Sequence, residues 1–478
     1  MRILQVLHFF LPRHYAGTEV YTDSLARSLK QRGHDVHLMF SEKILSQPNY
    51  SLVRREHEGL PCHVVVNNLL YESFEETFSN EPVERIFREV LDEVRPDLVH
   101  FQHLMLLSLR LPEIARSRGI RTVMTLHDFW LYCARFGQLQ EHGGKVCDGP
   151  EPKKCASCIV DFKFAQTPLQ KKMISAIRWT REVAGFDLAP VVEAWRKSKW
   201  ADVTRRLPRL KRGAPDRMDR MDRTDRPNRI ESIEDECRMR ESVVAEMLPS
   251  VDLFLSPSLT VRDRMVRFGL PREKIQVLPL GIQGMRVGPR RPLEGRAPVF
   301  GFIGTLAPHK GVHVLIEAMR HMKGEASLII YGGHDYYPRY VNSLKAEVQE
   351  LPIRFAGSVP RSEIGAAFAS IDVLVMPSVW LENFPIIIQE AHLAGVPVVA
   401  SNLGGMAEAI EDGVDGLLFE VDDPIDLARQ LDLLVAEPRR IAQMAERAEL
   451  PISVEEHAAR VEQTLLQIVA GAPEWGPA

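Results

Sequence analysis

Short apolar runs alternate with amphipathic stretches of about ten to fifteen residues in two long blocks, and that rhythm restricts the fold more than any other feature of the chain. The first block reads Ile3 to Leu7 as strand, Val20 to Gln31 as helix stopped by Gly33, and Asp35 to Phe40 as strand. It continues with Val83 to Val94 (helix), Leu98 to Phe101 (strand), Leu111 to Ser117 (helix) and Thr122 to Leu126 (strand), and resumes at Leu253 to Ser256 and Ile275 to Leu278. The second block runs from Val299 to Ile303 through Ser327 to Tyr331, Ile353 to Phe355, Val373 to Met376 and Pro397 to Ala400 to Leu417 to Phe419, with helical patterns between the strands. Strands joined by helices pair in parallel through crossovers, so each block predicts a doubly wound α/β domain.

A stretch rich in Gly and Pro from Pro279 to Pro292 reads as the linker between them. The predicted division is residues 1–285 for the first domain, 286–450 for the second, and 451–478 for a C-terminal helix packing back on the first. An insertion at about 159–240 breaks the alternation with aromatic and basic stretches around Trp179, Trp195 and Trp200. An Asp-Arg repeat from Asp216 to Arg226 follows, which cannot bury a core and is expected to be mobile.

At 478 residues, 45% hydrophobic and 26% charged, the chain has room for two cores and excludes collagen-like, coiled-coil and wholly disordered classes. Its six cysteines are too sparse for a disulfide scaffold. The N-terminus reads as a first strand rather than a signal peptide, and no window approaches 18 uninterrupted apolar residues, which predicts a cytoplasmic protein. The net charge of −4 hides an asymmetry: residues 196–229 carry +8 and the remainder −12. Aromatic and basic side chains together suit an anionic membrane face, so the insertion is read either as a peripheral dock on the inner face of the membrane or as a solvated excursion. Interleaved Asp and the lack of a recognisable module argue against nucleic acid.

The most specific motif is the run from Glu382 to Glu390 (Glu-Asn-Phe-Pro-Ile-Ile-Ile-Gln-Glu), two carboxylates eight positions apart, one in a loop and one about a turn and a half into a helix. That placement lets the pair reach opposite ends of one ligand, and the helix start favours an anion between them. After the first strand of the second block stands Gly304-Thr305-Leu306-Ala307-Pro308-His309-Lys310-Gly311. The N-terminal loop and helix hold Gly17, and His127 closes a strand in Thr125-Leu126-His127-Asp128. His8, His100 and His103 are read as strand-end histidines rather than metal ligands.

With these elements in place, the chain resembles the retaining, nucleotide-sugar-dependent glycosyltransferases of family 4, whose GT-B architecture sets two Rossmann-like domains across a cleft. The resemblance covers nearly the whole chain outside the insertion. It implies that Glu390 accepts hydrogen bonds from the donor ribose and that Glu382 sits at the transferred sugar. Asn383 and Phe384 would face sugar and diphosphate with their backbone, Lys310 would bind the diphosphate, and Gly17 would let backbone approach the same phosphates. Val359 would lie at the nucleobase, and His127 would reach the donor sugar. The implied catalytic set is His127, Lys310 and Glu382; the donor set adds Gly17, Thr305, Val359, Asn383, Phe384 and Glu390.

The implied reaction is a front-face transfer with retention, in which a donor phosphate oxygen takes the acceptor proton and no cofactor is required. The implied partners are a UDP- or GDP-sugar and a glycan or lipid-linked acceptor, as in cell-surface polysaccharide or glycolipid synthesis. Two positions depart from the family. Thr305 replaces an arginine five residues before the lysine, which keeps open a non-catalytic nucleotide-sugar-binding or scaffold protein on the same fold. Pro385 replaces a common glycine, although Glu-Asn-x-Pro recurs in the family. Finally, Cys133, Cys147, Cys155 and Cys158 fit either a structural zinc site or plain thiols. No Gly-x-Gly-x-x-Gly follows the first strand, which disfavours a nicotinamide-dependent oxidoreductase.

Overall fold

The computed structural model describes residues 1–478 apart from 15, 142–144, 161–171, 173, 174, 177, 178, 181–225, 290, 291, 334–336, 349 and 472–478. Trp195, Trp200, the Asp-Arg repeat through Asp225 and the side chains of the basic stretch therefore lie outside the described residues. Trp179 is described, and it is exposed. By contacts the chain divides into two units, Met1–Gly137 with Gly149–Phe254 and Thr464–Glu474, and Gln138–Asp148 with Leu255–Gln463.

The first sheet is built from β1 (Arg2–Leu7), β2 (Asp35–Glu42), β3 (Leu52–His57), β4 (Leu60–Val66), β5 (Leu98–Phe101), β6 (Arg121–Thr125), β7 (Leu253–Ser256) and β8 (Ile275–Val277). Its order is β3-β4-β2-β1-β5-β6-β7-β8. From β1 the chain winds first to β2 on one side and later to β5 on the other, both parallel to it, so the winding reverses at the β1/β5 boundary. β3 runs antiparallel, in a hairpin with β4 through Glu58 and Gly59, both at positive φ. That hairpin lies in a stretch the hydrophobic pattern leaves unassigned, because the strand Leu-Val-Arg-Arg-Glu-His is largely charged. Arg54 on it pairs with Glu89 and Glu93 on the helix Glu81–Val94.

The second sheet holds β9 (Val299–Ile303), β10 (Ser327–Tyr331), β11 (Ile353–Gly357), β12 (Val373–Met376), β13 (Val398–Ser401) and β14 (Gly416–Phe419), ordered β11-β10-β9-β12-β13-β14. Every pair is parallel. Its strands read as unbroken apolar runs because both faces are covered. Phe300, Phe302, Val373 and Val375 enter one core with the helices Val312–His321 and Pro424–Ala436. The intervening Ile303, Leu374 and Met376 enter the other with Ile388 and Ala391 of the helix Ile386–Leu393. Here too the winding reverses next to the first strand, between β9 and β12. Ligands of such sheets bind outside the carboxyl ends at that point, and the loops leaving β9 and β12 carry Lys310 and Glu382.

Residues 230–240 of the expected insertion belong to the first unit, on a helix that contributes to its core. The helix Arg226–Met247 buries Ile233, Cys237, Arg240, Val243, Val244 and Met247. Their spacing of one to four residues draws a stripe along one face, which the surrounding charges conceal in the sequence. No described helix is long and apolar enough to cross a membrane.

Gly311 is the tightest joint under the second-sheet site. It takes φ +69° between the turn Pro308–Lys310 and the helix Val312–His321, and a Cβ there would lie 1.7 Å from the Pro377 carbonyl oxygen. Gly311→Ala is expected to lower stability by about 2–3 kcal/mol or more, since strain and overlap add. A denaturant midpoint indistinguishable from wild type would contradict this packing.

Candidate functional site

The loops after β9 and β12 meet in an ion pair. Lys310 Nζ lies 2.6 Å from Glu382 Oε1, and Ser378 Oγ donates to the same oxygen at 2.9 Å. Lys310 also stands 5.2 Å from the centre of the Trp380 ring, against which His309 packs at 4.4 Å. Because Lys310 lies two residues before the helix Val312–His321 and Glu382 four before Ile386–Leu393, the pair draws two helix N-termini together. Neither terminus has a side-chain cap, so both keep backbone N–H groups suited to an anion.

Glu382 is buried, which pushes its carboxyl up, but the Lys310 charge and the hydrogen bonds from Lys310 and Ser378 outweigh this and hold it below the ordinary glutamate range. His309 is driven down to about 4 by burial and then by Lys310, so its imidazole is neutral at pH 7 and adds no second cation.

Backbone contacts fix the Glu382-Asn383 segment. Gly405 N donates to the Glu382 carbonyl at 2.9 Å, and Ser258 Oγ to the Asn383 carbonyl at 2.7 Å. A Cβ on Gly405 would lie 2.6 Å from the Asn383 oxygen, so only glycine allows that approach. Glu390, on the second turn of its helix, is buried and pairs with Arg361 from the turn after β11. Burial raises its carboxyl and Arg361 lowers it, with the net upward. The two carboxylates of the motif thus have separate cations, Lys310 and Arg361.

The resemblance did not supply Arg361, and its signal is positional: it follows Gly357-Ser358-Val359-Pro360, the segment expected at the nucleobase. Val359 is half-buried against the second core. Thr305 is exposed in the β9 loop, and Asn383 and Phe384 are half-buried.

Gly17 and His127 belong to the first unit. Gly17 opens the helix Gly17–Gln31, and nothing stands within 4 Å of where its Cβ would be, which leaves room for a close backbone approach. His127 Nε2 and Gln102 Oε1 are 2.8 Å apart, and Gln102 Nε2 donates to Gln5 Oε1 at 2.7 Å. Beside them His103 Nε2 lies 3.0 Å from Asp128 Oδ2, and His8 Nε2 lies 3.6 Å from Glu19 Oε1. Burial drives the His8 imidazole well below its usual range and raises Glu19. The carboxyl end of β1, β5 and β6 therefore carries a polar network larger than His127 alone. Asp128, adjacent to His127 in the sequence, was the available hint.

Two sequence families match this chain: Glycosyl transferases group 1 over residues 289–450 and Glycosyltransferase Family 4 over residues 15–146. The chain belongs to the group 1, family 4 glycosyltransferases. Among curated relatives, D-inositol 3-phosphate glycosyltransferase of Xylanimonas cellulosilytica is 27% identical over 219 residues, covering 42% of this chain and 52% of that protein. The putative colanic acid biosynthesis glycosyltransferase WcaL of Escherichia coli is 32% identical over 190 residues, 38% of this chain and 47% of that protein. The chain spans about half the length of the curated relatives it matches. Anabaena HepE, solved in complex with UDP and glucose, superimposes with a TM-score of 0.60 at 16% identity, covering 98% of this chain and 100% of that one. The fold is GT-B, with two Rossmann-like α/β domains.

The four cysteines, read either as a structural zinc site or as plain thiols, form no disulfide. Among the described residues no three His, Cys, Asp or Glu side chains stand where they could hold one ion. Cys158 Sγ instead lies 3.9 Å from Arg135 Nη1, and Cys155 Sγ accepts from Glu151 N at 3.4 Å.

Removing Lys310 strands a buried carboxylate. Lys310→Met is expected to cost about 2–4 kcal/mol at neutral pH. In the wild type the depressed Glu382 carboxyl stabilises the fold above the ordinary glutamate range and that contribution fades as pH falls through it. In the variant burial, the largest influence on Glu382, is opposed only by the hydrogen bonds from Trp380 and Ser378 and raises it, so stability should increase on acidification from pH 7 to 5. Unfolding midpoints across that range check the sign, and parallel profiles for the two proteins would refute the pairing.

Proposed function

We propose that this glycosyltransferase moves a sugar from a nucleoside diphosphate donor to a hydroxyl of a glycan or lipid-linked acceptor, with retention of anomeric configuration. The observation that carries this reading is the Lys310–Glu382 pair at the winding reversal of the second sheet, flanked by two uncapped helix starts. A diphosphate entering there meets a cation and backbone donors, and these stabilise the negative charge that grows on the leaving nucleotide as the glycosidic bond breaks. Glu382, kept ionised, would accept from sugar hydroxyls, and Glu390 from the ribose. HepE, the structural neighbour crystallised with UDP and glucose, supports a nucleotide-sugar donor. The colanic acid relative supports a polysaccharide or glycolipid acceptor.

In the first unit, the Gln5–Gln102–His127 chain holds the His127 ring in a fixed direction, as a residue contacting the donor sugar requires. Retention follows if the acceptor attacks on the face the diphosphate leaves, its proton passing to a donor phosphate oxygen. No enzyme nucleophile is then needed, and the roles of Lys310 and Glu382 are electrostatic.

Nucleotide release from UDP-, GDP- and ADP-sugars, without acceptor, tests the reading. One donor should turn over slowly, and Lys310→Ala and Glu390→Ala should each reduce that turnover by about 100-fold, on the scale of losing one charge-stabilising contact. Tight nucleotide binding with no turnover of any donor, even with candidate acceptors present, would favour the non-catalytic alternative that Thr305 keeps open.

A further inference from the structure

Glu390 is only 2% exposed on the helix Ile386–Leu393, whereas Arg361, which reaches its Oε1 from the turn Arg361–Glu363, keeps 37% of its side chain in solvent. Packing fixes the backbone under both. Val359 and Ile364 lie on either side of Arg361 in the sequence, Ile388 and Ala391 on either side of Glu390, and all four join one apolar cluster with Phe368. The two segments are thus held together by apolar contacts, independently of the ion pair.

A carboxylate buried without a cation is costly and takes up a proton. Burial pushes the Glu390 carboxyl up, and among the described residues Arg361 is the charge that opposes this. Glu382, the other carboxylate of the motif, pairs with Lys310, and His392, on the helix of Glu390 itself, faces Asp415. Arg361 takes Oε1, and no described side chain pairs with Oε2. Hydroxyl donors bond more strongly to a charged acceptor than to a neutral one, so the charge on Glu390 decides how well it holds a diol.

We propose that Arg361 is the positioning residue for the donor's ribose: it answers the buried charge of Glu390, holds Oε1, and leaves Oε2 to the ribose hydroxyls. Arg361 acts through Glu390 and does not itself read the sugar. The proposal deepens the reading of Glu390 as the ribose acceptor and rests on it.

Calorimetry of the full chain with UDP, GDP and ADP against their 2′-deoxy counterparts, from pH 8 down to 5, tests this role. The wild type should prefer the ribose form of the nucleotide it binds by about tenfold at pH 8, the scale of a hydrogen bond to a charged group. The preference requires the ionised carboxylate, so it fades as pH falls through the range of Glu390. In Arg361→Gln burial acts on that carboxyl unopposed and moves the range upward, so the preference should already be lost at pH 7, where the wild type retains it. Arg361→Lys restores a cation and should keep the wild-type profile. Glu390→Gln needs no counter-ion and supplies a second arm if Arg361→Gln does not fold: on that background Arg361→Gln should change the preference no further. A wild-type preference that persists in Arg361→Gln at pH 7, an equal loss for both sugars at every pH, or a further loss on the Glu390→Gln background would each overturn the role of Arg361 and leave that of Glu390 standing. A wild type that binds ribose and deoxyribose forms alike would bring down Glu390 as the ribose acceptor, and Arg361 with it.

Discussion

The ion pair between Lys310 and Glu382 is the constraint around which the second domain's site is arranged. Buried alone, either charge would be costly; together they stabilise each other and fix two loops that leave adjacent strands in opposite winding directions. Ser378, Trp380 and His309 surround the pair, and the neutral His309 adds no second cation beside Lys310. A diphosphate arriving beside it does not have to create a binding geometry, because the lysine, the carboxylate and two helix starts are already in place. That preorganisation is what electrostatic stabilisation of a leaving group requires.

Close backbone approach makes the arrangement possible. Gly311 passes beneath Pro377, and Gly405 passes against Glu382 and Asn383, at distances where a Cβ would overlap a carbonyl oxygen. Ser258 and Glu408 extend the same tie: Ser258 Oγ reaches Asn383, while the Glu408 carboxylate accepts from the backbone of Leu259 and Thr260. The glycines and carboxylates of the motif are therefore parts of one scaffold, and Glu382 is held both at its carbonyl and at its side chain.

Much of this was legible in the sequence, for identifiable reasons. The parallel strands read correctly because both faces of each sheet are buried, which leaves runs such as Val-Phe-Gly-Phe-Ile and Val-Leu-Val-Met without polar interruption. The edge hairpin of β3 and β4 did not, since an edge strand bearing Arg54, Arg55 and Glu56 has no apolar signature. The helix Arg226–Met247 was hidden for a related reason: its buried stripe is a minority among charged residues. Lys310, Glu382 and Glu390 were recognisable from their motif, whereas the partner of Glu390 was not. Arg361 reaches it from the turn after β11, a proximity set by the fold and invisible to local spacing.

The central claim, that Lys310 in its pair with Glu382 recognises a diphosphate, is tested most directly by calorimetry of UDP, GDP and ADP against their parent nucleosides, in wild type and in Lys310→Gln. For the nucleotide that binds, the diphosphate should be favoured over its nucleoside by about 100-fold in the wild type, equivalent to roughly 2.7 kcal/mol, and that preference should shrink at least tenfold in the variant. An unchanged preference in Lys310→Gln would contradict the account.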